Sequence, residues 1–327
     1  MQKGYIMQNN ININGKKLIV LTGPTAVGKT DLSIKLAKKV SGEIISADSI
    51  QVYKHMDIGS AKITQEEMDG VKHHLIDVLD PKESFNIATF KAMAVEAMES
   101  IYSRGNIPII TGGTGFYIQS VLYDINFADN EDDGYRQTLE LIAKDKGANY
   151  LYSMLRDVDP ASADNIHANN VKRVIRALEY YHQTGQLMSE HNATESAKSS
   201  PYNFAYFVLN CNRELLYNRI DKRVDIMLEQ GLVDEVKFLK DELGLTRDLV
   251  SMQGLGYKEI LSYLDGEISL EEAVYILKRD TRHFAKRQLT WFKREKDVIW
   301  VDKDALVTEN SQLEFIINEL KTRNIIS

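Results

Sequence analysis

The sequence predicts an α/β fold: a mostly parallel sheet wrapped by helices and interrupted by a helical insertion. Three observations carry this. Short apolar runs end in glycine and open into amphipathic segments, first around residues 17–40 and again around 107–122. Strand signal then fades from Asp124 to about Ser200. It returns in "PYNFAYFVLNC", which alternates and branches as a strand does.

Each element follows in order. Residues 1–15 are polar and Asn-rich, with no apolar core of a signal peptide, and read as a disordered extension of a cytoplasmic protein. "KLIVLT" is a buried parallel strand ending at Gly23. In "KTDLSIKLAKKV", Leu32, Leu36 and Val40 recur at four-residue spacing, one face of a helix. "EIISAD" is a second strand ending near Asp48. "TFKAMAVEAMESIYSRG" is a helix with Phe90, Met93, Ala94, Ala97 and Ile101 on one face, closed by Gly105. "IPIIT" is a third strand, followed by the glycine turn "GGTG" into a helix. The insertion, 125–200, opens with the acidic loop "ADNEDDG". Its helices start at Asp159-Pro160 and at Asn170, and the polar linker "HNATESAKSS" closes it. The core therefore spans 16–124 and 201–305, its second part mainly helical with a late strand at "DVIWVD". A helical tail, 306–327, follows.

Composition narrows the function. With 43% hydrophobic and 27% charged residues, the chain can bury a large core. No apolar run approaches the roughly 20 residues that span a bilayer, so no membrane role is expected. One cysteine, Cys211, excludes a disulfide framework and a Cys-rich zinc site, and reads as an apolar filler at a strand end. His73 and His74 have no metal-ligand partner at helical spacing. A net charge of −7 argues against coating nucleic acid by bulk charge, but the charge is uneven. Between Lys278 and Lys296 there are eight Lys or Arg and only two acids.

The strongest motif is Gly23-Pro24-Thr25-Ala26-Val27-Gly28-Lys29-Thr30, a complete phosphate loop between a strand and a helix. Its glycines let the backbone turn toward an anion, its amides and the helix N-terminus bind one, Lys29 adds charge, and the Thr30 hydroxyl can bind Mg²⁺. The core is thus like that of the P-loop-containing nucleoside triphosphate hydrolases. Asp48 lies at the carboxyl end of the next strand, the edge that faces the ligand crevice in open α/β sheets; it can bind metal, take a proton or cap a turn. Ser49 and Gln51 are polar neighbours. "IPIIT" ends in Thr111-Gly112-Gly113, without the acid that usually holds Mg²⁺ in phosphoryl-transfer enzymes, which weakens an ATPase reading. Thr114 can offer a hydroxyl and an amide to the crevice. Arg219 and Arg223, one helical turn apart, can clamp a phosphate. Lys172, Arg173 and Arg176 line the polar side of a helix whose other side carries Val171, Val174, Ile175 and Leu178. Lys278, Arg282 and Lys286 recur every four residues among Phe284, Trp291 and Phe292, a mix that suits RNA backbone and bases or simply a solvated face over core aromatics.

Together these motifs resemble the tRNA dimethylallyltransferase family, also called tRNA isopentenyltransferases. The resemblance runs from about residue 17 to 302 through "GPTAVGKT", "SADSIQVYKHMDIGSAK", "HHLIDVLDP", "ITGGTGFYI", "VKRVIRALE", "RVDIMLEQGL", "QGLGYKE" and "FAKRQLTWF". It implies that the loop holds the diphosphate of dimethylallyl diphosphate, with Mg²⁺ at Thr30. It implies transfer of the dimethylallyl group to the exocyclic amine of adenosine 37, with Asp48 as general base and Thr114 and Arg223 catalytic. It places Asp48, Ser49, Ile50 and Gln51, Lys172, Arg173, Val174, Ile175 and Arg176, and Arg282, Lys286 and Arg287 against tRNA, the insertion meeting the anticodon stem-loop. A monomer is expected. Two alternatives explain the loop but not the joined motifs: a small-molecule kinase using ATP, and a non-catalytic, nucleotide-dependent RNA-binding protein.

Overall fold

Among the described residues six strands, β1 (Lys17–Thr22), β2 (Gly42–Ala47), β3 (His73–His74), β4 (Ile107–Gly112), β5 (Asn203–Asn210) and β6 (Val298–Asp302), form one sheet in the order β3-β2-β4-β1-β5-β6, with every pairing parallel. The computed structural model describes residues 15–127 and 133–327. The N-terminal extension, apart from Gly15, and most of the acidic loop "ADNEDDG" lie outside the described residues. Among the described residues no helix is long and apolar enough to cross a membrane.

The sheet is built as its apolar runs demand. In β1 (Lys17–Thr22) five consecutive residues are buried, so both faces need cover. α1 (Lys29–Val40) supplies it, burying Leu32, Leu36 and Val40. β2 (Gly42–Ala47) ends just before Asp48. β3 (His73–His74) is a two-residue edge strand that apolar patterning could not reveal. α2 (Ile87–Ser103) is capped by the Asn86 side chain; it buries Phe90, Ala94, Ala97 and Ile101, with Met98 rather than Met93 completing the fully buried set. β4 (Ile107–Gly112) and α3 (Gly115–Leu122) follow. Ile19 of β1 pairs with Ile109 of β4 on one side and Ala205 of the fifth strand on the other. The chain fills one side of β1, then crosses to the other, so the carboxyl end of β1 opens on the switch-point crevice.

The insertion is a compact unit, Tyr123–Ser200. It holds α4 (Tyr135–Lys146), α5 (Ala148–Val158), α6 (Pro160–Asn165), α7 (Val171–Thr184) and α8 (Met188–Ala197) around Leu139, Leu151, Leu155, Val174, Ile175 and Leu178. Asp159 caps α6, accepting from the Ser162 amide, and buries its other oxygen on the Ser162 hydroxyl and the Ser189 amide. Asn170 stands at the start of α7, but its side chain makes no cap bond. The expected linker "HNATESAKSS" is instead mostly helix. α8 buries no residue, yet Glu195 accepts from the Asn126 amide and pairs with Lys198, and Thr194 and Ser196 hydroxyls bond back to carbonyls four residues earlier. Local bonds there replace an apolar face.

The other unit runs to Leu122 and resumes from Pro201 to Ser327. It adds β5 (Asn203–Asn210), α9 (Arg213–Glu229), α10 (Leu232–Asp241), α11 (Tyr257–Leu264), α12 (Leu270–Phe292), β6 (Val298–Asp302) and α13 (Glu309–Thr322). The helical tail is not an appendage. Leu313, Ile316, Leu320 and Ile325 enter the same apolar cluster as Leu32 and Leu36.

Candidate active site

The phosphate loop turns in the space between β1 and α1. Ala26 (φ 63°) and Gly28 (φ 89°) both adopt left-handed backbone, which a non-glycine residue holds only at a cost. The loop is held from above by α12. Gln288 accepts from the Thr25 amide at 2.9 Å and donates to the Gly113 carbonyl at 2.9 Å, tying the loop to the glycine turn after β4. A Cβ on Gly113 would sit 2.1 Å from the Gln288 amide nitrogen, so a side chain there would push Gln288 off the turn. Sequence reasoning did not single out Gln288. Its only signal was an uncharged amide within a basic run.

Cations gather at this loop. Lys29 keeps part of its surface, but its ammonium is drawn against the carbonyls of Gly23 and Pro24, at 3.0 and 2.9 Å. Burial and then the Arg223 guanidinium push its pKa down to about 7, against the favourable pull of Asp48. Arg223, from α9, is itself pushed down by burial, with only Asp31 acting the other way. Neither forms an ion pair within 4 Å among the described residues. The structure thus brings Lys29 under the influence of both Arg223 and Asp48. Arg219, one turn earlier on α9, neighbours Lys303 instead. Lys303, just beyond β6, was not anticipated, because nothing in the sequence links it to residue 28.

Thr30 is exposed and its hydroxyl makes no hydrogen bond among the described residues. Among those residues no three His, Cys, Asp or Glu gather as a metal site. That donor set fits a magnesium ion bound mainly through substrate phosphates, with Thr30 as the protein ligand.

Asp48 follows β2 and is partly exposed. Its Oδ1 accepts from the amides of Ile50 (2.9 Å) and Gln51 (3.2 Å), while Oδ2 makes no hydrogen bond among the described residues. Thr114 lies beside it, since its amide donates to the Ala47 carbonyl at 3.3 Å. Tyr117 also feels Asp48; burial chiefly, with Tyr53 and Asp48 adding, raises its pKa to about 12. The Gln51 side chain, expected to meet tRNA, is already engaged: it accepts from the Ser46 hydroxyl and donates toward the carbonyls of Ser60 and Ala61. Much of "SIQVYKHMDIGSAK" is scaffold. Glu235 of α10 accepts from the amides of Asp57, Ile58 and Gly59 and from the Tyr257 hydroxyl. Lys62 donates to the Tyr53 carbonyl and to Asp57 and Asp77.

The residues expected to meet RNA fall into different surroundings. In the insertion, Lys172, Arg173 and Arg176 are exposed, but Val174 and Ile175 are 0% and 3% exposed and belong to its core. Arg176 leans on Glu179, which also holds Arg136 in a two-point pair. On α12, Arg282 pairs with Asp221 and Lys278 with Asp225, both at 2.5 Å, so these cations pin α12 to α9. Lys286 and Arg287 remain exposed, the latter over the Phe284 ring. Phe292 is buried and belongs to the core, whereas Trp291 is part-buried and packs edge-on against the exposed Phe116.

The family model described as IPP transferase matches residues 51–295. A tRNA dimethylallyltransferase of Lachnoclostridium phytofermentans is 59% identical over 310 residues, covering 94% of this chain and 99% of its own. The crystal structure of a full-length tRNA isopentenylpyrophosphate transferase from Bacillus halodurans is 46% identical with a TM-score of 0.70, covering 94% of this chain and 98% of that one. A eukaryotic dimethylallyltransferase solved acting on tRNA is 32% identical with a TM-score of 0.80, covering 95% and 80%.

Proposed function

The chain belongs to the IPP transferase family, and on that premise we propose that its phosphate loop grips dimethylallyl diphosphate while Asp48 prepares the acceptor. It is a prenyltransferase that places a dimethylallyl group on tRNA. The kinase and the non-catalytic reading are set aside, because a match of this extent to named transferases fits neither.

The observation that carries the proposal is the pair Lys29 and Arg223. Two part-buried cations stand beside each other, with no carboxylate in ion-pair range among the described residues, and burial pushes the pKa of each down. Such a pair favours a bound anion, and a diphosphate supplies one. The acceptor is the exocyclic amine of adenosine 37, taken from its stack to reach the site. Its nitrogen forms a bond to the allylic carbon as the carbon–oxygen bond breaks. The electron pair leaves on pyrophosphate, whose growing charge Lys29, Arg223 and the loop amides neutralise. The Oδ2 of Asp48 takes the amine proton, while its Oδ1 stays anchored on the backbone. Thr114, next to Ala47, orients the reacting groups. Thr30 would hold Mg²⁺, which when bound shields the diphosphate charge. The exposed Lys172 and Arg173 of the insertion, with Lys286 and Arg287, serve the RNA backbone.

Lys29→Ala tests the loop. Removing one charge-assisted contact to the leaving group should cost about 2–4 kcal/mol of transition-state stabilisation. tRNA affinity should stay within a few-fold. Turnover near normal in a steady-state assay with radiolabelled donor, or a collapse of tRNA binding instead, would overturn this reading.

A further inference from the structure

Lys303 lies beside the phosphate loop, on the flank away from Asp48. It directly follows β6, and its amide donates to the Asn210 carbonyl at the end of β5, 2.9 Å away. That bond sets the residue at the carboxyl edge of the sheet. From there its ammonium reaches back over the loop. A Cβ built on Gly28 would lie 3.0 Å from the Lys303 Nζ, so the ammonium sits directly over that glycine, whose left-handed backbone (φ 89°) itself disfavours a side chain. Gly28 is also the residue that opens α1, and no side chain caps that helix. The ammonium therefore stands over a helix N-terminus, where a cation is poorly placed unless an anion lies between.

The groups around Lys303 strengthen the point. Burial first, then Arg219, push its pKa down. Glu309, Cys211 and Asp31 pull the other way with smaller effect, and Glu309 is already paired with Lys35. No carboxylate comes within ion-pair range of Lys303 among the described residues. Lys29, by contrast, feels Arg223 and Asp48. The loop thus carries one lysine toward the proton acceptor and another on its opposite flank.

We propose that Lys303 is a second donor-binding lysine, which clasps the terminal phosphate of the diphosphate, the one remote from the transferred carbon. The proposal rests on the reading of the loop as the donor site. Arg219 stands behind Lys303 and adds positive potential there. The consequence is selectivity for a diphosphate over a monophosphate, because only the longer anion spans from Lys29 to Lys303.

Calorimetric titration of the full chain with pyrophosphate and with inorganic phosphate, both with Mg²⁺ present, tests this. Lys303→Met keeps the aliphatic stem against Gly28 and removes the charge, and Lys303→Gln is a second neutral variant should the first melt early. Either should weaken pyrophosphate about 10- to 100-fold, the usual worth of a charge-assisted hydrogen bond. Inorganic phosphate should change by less than roughly threefold, because it fills only the subsite nearer Lys29. Lys303→Arg should recover most of the loss, and tRNA affinity should not move. If a folded neutral variant binds pyrophosphate like the wild type while Lys29→Ala does not, the role of Lys303 falls and the donor site stands. Should neither substitution weaken pyrophosphate, the assignment of the loop falls with it. Equal loss for both anions would make Lys303 a general support of the loop and overturn the terminal-phosphate assignment.

Discussion

Asp48 divides its work between two oxygens. Oδ1 is spent on the amides of Ile50 and Gln51, which hold the carboxylate in place, and Oδ2 is left to the crevice. Asp48→Asn preserves the first function and abolishes the second. In single-turnover kinetics with pre-bound tRNA, the rate constant should fall by roughly 10²–10⁴, the range for a lost general base. tRNA and donor binding should stay within a few-fold. Partial rescue by raised Mg²⁺ would reassign Asp48 to the metal, and a near-normal rate would leave it a turn cap. Among the candidate site residues, the loop and Lys29 carry their chemistry in their own type and spacing, whereas the roles expected of Asp48 and Arg223 came from the family resemblance. Gln288, Glu235 and Lys303 could not be read so. Each acts on a partner far away in the chain, Thr25 and Gly113, Asp57 to Gly59, or Gly28, and no local pattern records such a meeting.

At the scale of elements, the same basic periodicity led to two different outcomes. On α7 the cations face solvent, while on α12 two of them turn onto the acids of α9. Spacing alone cannot separate these cases, because it gives the face of a helix and not what that face meets. Replacing Lys172 and Arg173 together by Ala should weaken tRNA binding and flatten its salt dependence by nearly one unit of slope per lost phosphate contact. A filter-binding titration over a salt series reads this; an unchanged slope would make α7 a solvated face. Strands with long apolar runs were legible because burial on both faces leaves a continuous signature, as in β1 and β4. β3 was not, being two histidines kept at the edge by backbone pairing with Ile44 and Ile45. Nor was α8, whose cohesion lies in polar side chains bonding to nearby backbone.

The whole sheet is fastened at its amino-terminal edge, opposite the loop, by the carboxylate of Glu43. Its side chain is 6% exposed. It accepts from His74 of β3, twice from Arg104 at the end of α2, and from Asn106 before β4. These bonds, led by Arg104 and then His74 and Asn106, outweigh burial and lower its pKa from 4.5 to about 2. A carboxylate held below its unfolded value stabilises the fold above pH 4.5, and that stability is lost as pH falls toward 2. The amount is about 3 kcal/mol at neutral pH, from 1.4 kcal/mol per pKa unit. Urea unfolding of Glu43→Gln should show a deficit of that order at pH 7 that shrinks near pH 3, whereas a deficit independent of pH would deny the linkage. At the other edge, the loop that begins the core is closed by Gln288 on α12, more than 260 positions later. A ribosome makes the chain in that order. The insertion is complete while α12 is still unmade, so an emerging polypeptide has its helical insertion long before its phosphate loop is tied down. A chain arrested anywhere before residue 288 thus lacks the one side chain that ties its phosphate loop to the glycine turn after β4, however well its insertion has folded.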